Sequence, residues 1–245
     1  MKYLQMIVVQ KQNKKISIFS TYSTDKIIKD DQVTINTGGP LCFIEKALDD
    51  CNVSYFSHHG EVVNIEIKAN EDGEVGRVIG WQNKTKIVKD TTSKFIVIST
   101  IFNEWHMIKM DQSKAKIFVD IQGFVRDANK FGAKILWSDS IKYSKKIFCL
   151  KGTKEEMNYL PKNVYEDQKN RLLIITEGKK GVEWYLKGKK YLTLIPREIK
   201  SPNTVGAGDT FFGYFVANIY KGNGIKLSID NAISKTSEFL ESKNY

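Results

Sequence analysis

Cysteine, histidine and proline are all scarce, with three Cys, three His and four Pro in 245 residues. Cys42, Cys51 and Cys149 are too few and too scattered for a disulfide framework or a zinc site, and they fit a reducing cytosol. His58, His59 and His106 show no metal-ligand spacing with those cysteines, and adjacent histidines at a strand end do not readily face one metal. Long hydrophobic runs are missing too. No stretch approaches the ~20 apolar residues that a membrane span requires. The run in MKYLQMIVVQKQNKK is too short for a signal peptide, so a cytoplasmic protein without a membrane partner is expected. There is no Walker A sequence and no G-x-G-x-x-G, which disfavours P-loop NTPases and dinucleotide enzymes.

What the chain has in excess is positive charge, 38 Lys and Arg against 28 Asp and Glu, a formal +10. Nucleic-acid binding is therefore a rival reading. The lysines, however, are spread along the whole length and interleaved with acids, and Lys179-Lys180 and Lys187–Lys190 flank a hairpin-like segment as a solvated face. No nucleic-acid-binding signature accompanies them, and no nucleic-acid partner is expected. The 41% hydrophobic content is that of a globular protein, and 245 residues suffice for one substantial domain.

The most informative stretch is Ser201–Tyr220, SPNTVGAGDTFFGYFVANIY. Gly206-Ala207-Gly208 lead through Asp209 into an apolar segment whose Phe211, Phe212, Phe215, Val216 and Ile219 recur at helical spacing, with Gly222 as a stop. A glycine-rich turn opening a helix leaves backbone N–H groups unpaired at the positive end of the helix dipole, a ready site for phosphate. A carboxylate inside an anion site would repel the anion, so Asp209 reads as a proton acceptor beside a phosphoryl-binding turn. The plainer reading is a first-turn aspartate favoured by the dipole.

NTVGAGDTFFGYF resembles the C-terminal signature of the ribokinase-like (phosphofructokinase B type) carbohydrate kinases, D-T-x-G-A-G-D-x-F-x-G. The resemblance implies that Asp209 is the catalytic base and that the Gly206, Ala207 and Gly208 amides form an anion hole. Asn203 stands where the family has its first Asp, around which some members build a monovalent-cation site, and Tyr214 replaces a usual small residue.

Elsewhere the same resemblance assigns further residues. LQMIVV (4–9) and ISIFS (16–20) read as strands, and Asp25 follows the second where the family places an acceptor-binding Asp; otherwise it is an ordinary turn Asp. Gly38-Gly39 precede an amphipathic helix with Pro40 at its start, similar to the family's substrate-facing Gly-Gly, with Phe43 where many members have Asn. NVSYFS (52–57) reads as another core strand. VVNIEIK (62–68) and EVGRVIG with Trp81 alternate around the turn Asn70–Gly73, a β-hairpin expected to form a small β-lid over about 61–82.

From residue 94, FIVIST, AKIFVD, AKILW, KIFCL and LLIIT are continuous apolar runs with helical spacers, which predicts a doubly wound, mostly parallel α/β sheet flanked by helices, one domain over 1–245. Ligands then bind at the carboxyl ends of the strands. Asn103 and Glu104 follow the first run; Gln122 and Arg126 lie in DIQGFVR after the second, similar to a family stretch contacting substrate or phosphate, and closest to the archaeal and inositol-kinase-like branch. Thr153-Lys-Glu-Glu156 is like the family's N-x-x-E, whose Glu holds Mg2+ through water; it is equally a capping box. Thr176, Gly178 and Gly181 resemble the family's nucleotide-facing T-x-G-x-x-G, and Asn231 and Ser234 fall on the helix that borders the adenine pocket in relatives.

The implied reaction is phosphoryl transfer from ATP with Mg2+ to a sugar or polyol hydroxyl. A nucleoside acceptor, with Trp81 or Phe43 as a stacking residue, and a non-catalytic ligand-binding relative are the alternatives. Lids in this family also pair between chains, which makes a homodimer compatible with the resemblance.

Overall fold

The computed structural model describes residues 16–29, 32–70, 73–80, 85–86, 93–107, 114–127, 130, 133–195 and 204–243. The expected strand at 4–9, Trp81 and Asn203 lie outside them. In chain order the first elements are β1 (Ile16–Ser20), β2 (Ser23–Lys29), β3 (Gln32–Gly38), α1 (Gly39–Asp50), β4 (Tyr55–His59), β5 (Val63–Asn70) and β6 (Gly73–Gly80). There follow β7 (Thr85–Lys86), β8 (Phe95–Ser99), β9 (Trp105–His106), β10 (Lys116–Asp120) and the single turn α2 (Ser140–Tyr143). The remainder is β11 (Ile147–Thr153), α3 (Lys154–Met157), α4 (Lys162–Lys169), β12 (Leu172–Thr176), β13 (Val182–Leu186), β14 (Lys189–Thr193), α5 (Ala207–Tyr220) and α6 (Ile225–Ser242).

The larger sheet has the order β14-β13-β12-β11-β10-β8-β1-β4. Pairings from β4 through β12 are all parallel, and β13 and β14 add an antiparallel edge. The apolar runs predict this, because a strand covered on both faces has no polar side to show. One face packs Ile18, Val97, Phe118 and Ile174 under α1, α5 and α6. The opposite face packs Ile98, Val119, Leu150 and Ile175 under Trp105, Phe124, Trp137, Met157 and Val164. The result is a doubly wound α/β fold.

Two expectations need correction. AKILW (133–137) is not a core strand. It makes a single bridge, Lys134 to Arg126, and a bond from Ile135 N–H to the Val125 carbonyl, and only Trp137 is buried. The crossover from β10 to β11 has only short helical turns among its described residues. Stacked Phe124 and Trp137, with centroids 4.3 Å apart, cover the sheet there in place of a long helix.

The smaller sheet, order β3-β2-β5-β6, is broader than the hairpin at 61–82, because residues 23–38 supply two more strands. It is rooted at the carboxyl end of the larger sheet. The chain passes from β1 into β2 within two residues, and Val63 N–H donates to the Tyr22 carbonyl at 3.0 Å. Val63 and Ile65 are buried against Ile101 and Phe102, just beyond β8. Gly39 has φ +83°, and a Cβ there would meet the backbone of residues 21–23, so glycine is what lets α1 start against that junction.

Candidate functional site

Strand register assembles the centre of the site. Ser99, Asp120 and Lys151 are direct neighbours on the parallel strands β8, β10 and β11, close to their carboxyl ends. Asp209 enters from above, in the first turn of α5. Ser99 Oγ donates to Asp209 Oδ1 at 3.4 Å, and Lys151 Nζ donates to Asp120 Oδ2 at 2.6 Å. Lys151 and Asp120 are 3% and 0% exposed, which makes this a buried ion pair rather than a surface one. A Cβ placed on Gly208 would lie 3.0 Å from Lys151 Nζ, so the ammonium sits directly beneath the glycine turn.

Burial, and next the charge of Asp120, push the Asp209 pKa up to about 7, against the opposing pull of Lys151, Arg126 and Ser99. Burial alone would lower the Lys151 pKa, but the carboxylates of Asp120, Asp209 and Glu156 outweigh it and hold the ammonium charged. A carboxylate near neutrality beside a fixed cation suits a proton acceptor next to a developing anion.

The turn itself is built around Gly206, which adopts φ +79° and serves as the N-cap of α5. A Cβ at Gly206 would overlap the ring of Phe43, which α1 lays across the turn. Ala207 N–H donates to the Thr204 carbonyl at 3.1 Å, which commits one of the three expected amides to the turn. Phe43 packs edge to face on Phe239 at 5.8 Å and is engaged with the turn, away from the role of base-stacking platform.

Asp25 lies in β2 of the smaller sheet rather than in a loop. It is 8% exposed and burial raises its pKa, with a hydrogen bond from Ser23 working the other way. Its Oδ2 abuts Gly38, where a Cβ would overlap it, and its buried Oδ1 has no hydrogen-bond partner among the described residues. Ser20 Oγ and Thr100 Oγ1, at the ends of adjacent strands, are likewise buried without a partner. Buried polar atoms are normally satisfied, so these three are fit to receive a hydroxyl-bearing ligand. Asn103, half-buried with φ +56°, shares the loop after β8. Glu104 turns inward instead, its carboxylate taking the Ile101 and Phe102 N–H groups at 2.7–3.0 Å, which makes it a loop brace.

Arg126 is half-buried with its guanidinium 5.7 Å from the Phe102 ring and acts electrostatically on Asp209, while Gln122 N–H donates to Asp120 Oδ1. The Thr153–Glu156 capping box is formed: Glu156 N–H donates to Thr153 Oγ1 at 3.2 Å and Thr153 N–H to Glu156 Oε2 at 2.8 Å. The other carboxylate oxygen of Glu156 faces Lys134 Nζ at 3.5 Å.

Thr176 is beside Thr153 in register at the end of β12. Gly178 has φ +55° with open space around it, whereas Gly181 is needed for the turn into β13, since a Cβ there would overlap the Thr193 carbonyl. Asn231 donates to Asn218 Oδ1 at 3.0 Å, tying α6 to α5, and Ser234 is exposed on α6. Tyr214 is accommodated because its hydroxyl reaches Asp50 of α1 at 2.5 Å. Ser99 and Lys151 escape sequence reasoning. Lys151 left one trace, a charge immediately after the apolar run KIFCL.

The sequence pattern of the pfkB family carbohydrate kinases matches residues 128–233. A segment of 99 residues is 33% identical to "Probable fructokinase-5" of Arabidopsis thaliana, covering 38% of this chain and 29% of that protein's length. The fold superposes on a pyrophosphate-dependent kinase in the ribokinase family, complexed with a pyrophosphate analog and myo-inositol, at TM-score 0.69 and 18% identity over 92% of this chain and 95% of that one. It also matches Arabidopsis thaliana ribokinase complexed with ribose and ATP, at TM-score 0.72 and 12% identity over 93% of each chain. The nucleoside kinase of Methanocaldococcus jannaschii gives TM-score 0.70 and 15% identity over 94% and 93%. The chain thus has the fold of the ribokinase-like kinases, and its segment 128–233, which carries Lys151, Glu156 and Asp209, matches the sequence pattern of the pfkB family carbohydrate kinases.

Proposed function

We propose that the chain transfers the γ-phosphoryl group of ATP to a hydroxyl of a sugar or polyol. The observation that carries this reading is Asp209, a buried carboxylate raised to about 7, at the start of α5 between the Gly206 and Gly208 amides and the Lys151 ammonium. Asp209 takes the proton of the acceptor hydroxyl as its oxygen bonds to the γ-phosphorus, and the bond from that phosphorus to the bridging oxygen breaks, releasing ADP. General base catalysis of this kind contributes ~10²–10⁴-fold. The two glycine amides and Lys151 stabilise the charge on the transferring group. Asp25 with Gly38, and the hydroxyls of Ser20 and Thr100, hold the acceptor under the smaller sheet, which acts as the lid.

Among the described residues no group of three His, Cys, Asp or Glu is placed to hold a metal. The donors present fit Mg2+ carried on the nucleotide phosphates and held through water, and Glu156 is the carboxylate assigned to that water. When bound, Mg2+ neutralises phosphate charge. ATP as donor is supported by the ribokinase complexed with ribose and ATP, and a polyol acceptor by the kinase complexed with myo-inositol. A nucleoside acceptor is the second reading, supported by the archaeal nucleoside kinase of the same fold.

The test is ATP consumption against a panel of sugars, inositol and nucleosides. Turnover of one acceptor that falls ~10²–10⁴-fold in Asp209→Asn is expected; turnover that survives the substitution would assign the base elsewhere.

A further inference from the structure

We infer that Lys243, just past α6, is a positioning residue for the anion-hole turn: its ammonium holds the Val205–Gly206 peptide so that the Gly206 N–H points into the hole. This deepens the kinase reading, resting on it for the identity of the anion and not for the geometry.

Lys243 Nζ donates to the Val205 carbonyl at 2.6 Å. The same ammonium lies 4.6 Å from the centroid of the Phe239 ring and 5.7 Å from that of Phe43, over two rings that meet edge to face. Phe43 in turn lies against Gly206, leaving no room for a Cβ. The carbonyl of Val205 and the N–H of Gly206 belong to one planar trans peptide, so they point in opposite directions. Fixing the carbonyl outward on Lys243 fixes the N–H inward. A cationic donor on the carbonyl also polarises the peptide and makes its N–H a stronger donor to an anion. Gly206 has no side chain to restrict its torsions, so the central peptide of the turn closed by Ala207 N–H and the Thr204 carbonyl gains a further constraint from outside it. The two rings keep the ammonium in place by cation–π attraction. Two helix ends distant in sequence therefore set the direction of one amide.

Val205 is 41% exposed, so without Lys243 water can satisfy its carbonyl, and the bond adds little to stability. A functional effect without a stability effect is the signature to look for.

The experiment measures inorganic phosphate affinity by calorimetry on the full chain, together with kcat and KM for whichever acceptor turns over. Lys243→Met is expected to weaken phosphate about tenfold and to lower kcat by a similar factor with the acceptor KM unchanged, the scale of one charge-assisted hydrogen bond. Lys243→Arg should recover to within about threefold, and both should keep Tm within about 2 °C. Lys46→Met, which removes a cation that acts electrostatically on Lys243 while leaving the Lys243 bond to the Val205 carbonyl in place, should change phosphate affinity less than about twofold.

Equal phosphate affinity in the wild type and Lys243→Met overturns the proposal. So does an equal loss in Lys46→Met, a loss in Lys243→Arg as large as in Lys243→Met, or a wild type that binds no phosphate. If no acceptor turns over but phosphate follows the expected pattern, the positioning role stands and the kinase reading fails.

Discussion

The start of α5 and the smaller sheet face the same space and are built in opposite ways. From Asp209 to Ile219 every residue of α5 is buried, locked on one side by α1 and on the other by α6. A Cβ on Gly213 would come 2.7 Å from Ala47, so α1 and α5 pack almost backbone to backbone. In the smaller sheet, β3 is exposed at all its residues but Gly38, and Val63 and Ile65 form its compact contact with the rest. Phosphoryl chemistry is common to many acceptors and demands fixed donors. Acceptor choice varies, and an edge sheet with few buried contacts can change at low cost to stability. The rigid end holds the proposed chemistry and the adaptable end the proposed acceptor site.

This contrast can be broken most directly at Lys151. Lys151→Met should lower kcat by ~10²–10³-fold, as loss of an oxyanion-type donor does. It should also destabilise the fold by about 3–5 kcal/mol, because Asp120 is left buried and uncompensated. Adding Asp120→Leu should restore stability in urea unfolding without restoring turnover; joint recovery would reduce the pair to a structural role.

On the adaptable side, Asp25→Asn should raise the acceptor KM by about 10–100-fold, the loss of a charged hydrogen bond, with little change in kcat. An unchanged KM would take the acceptor away from β2.

The pH dependence sharpens the rigid side. Because Asp209 must be ionised to accept a proton, kcat/KM should rise about tenfold per pH unit up to about 7 and then level off. The stability linkage has the opposite sign. A folded pKa raised above the unfolded value gives stability that is full below the unfolded pKa and lost as pH rises through about 7. Asp209→Asn should therefore raise Tm by up to about 10 °C at pH 8, on the order of 4 kcal/mol, and leave it unchanged in acid. The smallest effect belongs to the outer sheet: Ile35→Lys, at a position 69% exposed, should shift stability by no more than about 0.5 kcal/mol.

Much of this was legible in the chain. The runs at 95–100, 115–120 and 172–176 announce buried parallel strands, and the spacing of Ile225, Ile229, Ala232 and Ile233 announces α6, because burial imposes a period that survives in one dimension. AKILW misled for the same reason: an apolar run is the same text whether it enters a sheet or skirts its edge. Glu104 misled because a carboxylate turned back on its own loop reads like one turned toward a ligand.

The GAGD turn, to which the proposed chemistry is assigned, is determined locally, since an αL glycine, a helix start and a carboxylate need only neighbouring residues to meet. Ser99, Lys151 and Lys243 were decided by tertiary structure alone. Ser99 and Lys151 owe their place to strand register, and Lys243 owes its place to how α6 crosses α1. Neither relation has a period or a spacing in the sequence, because each joins residues distant along the chain through surfaces that exist only once the core has packed.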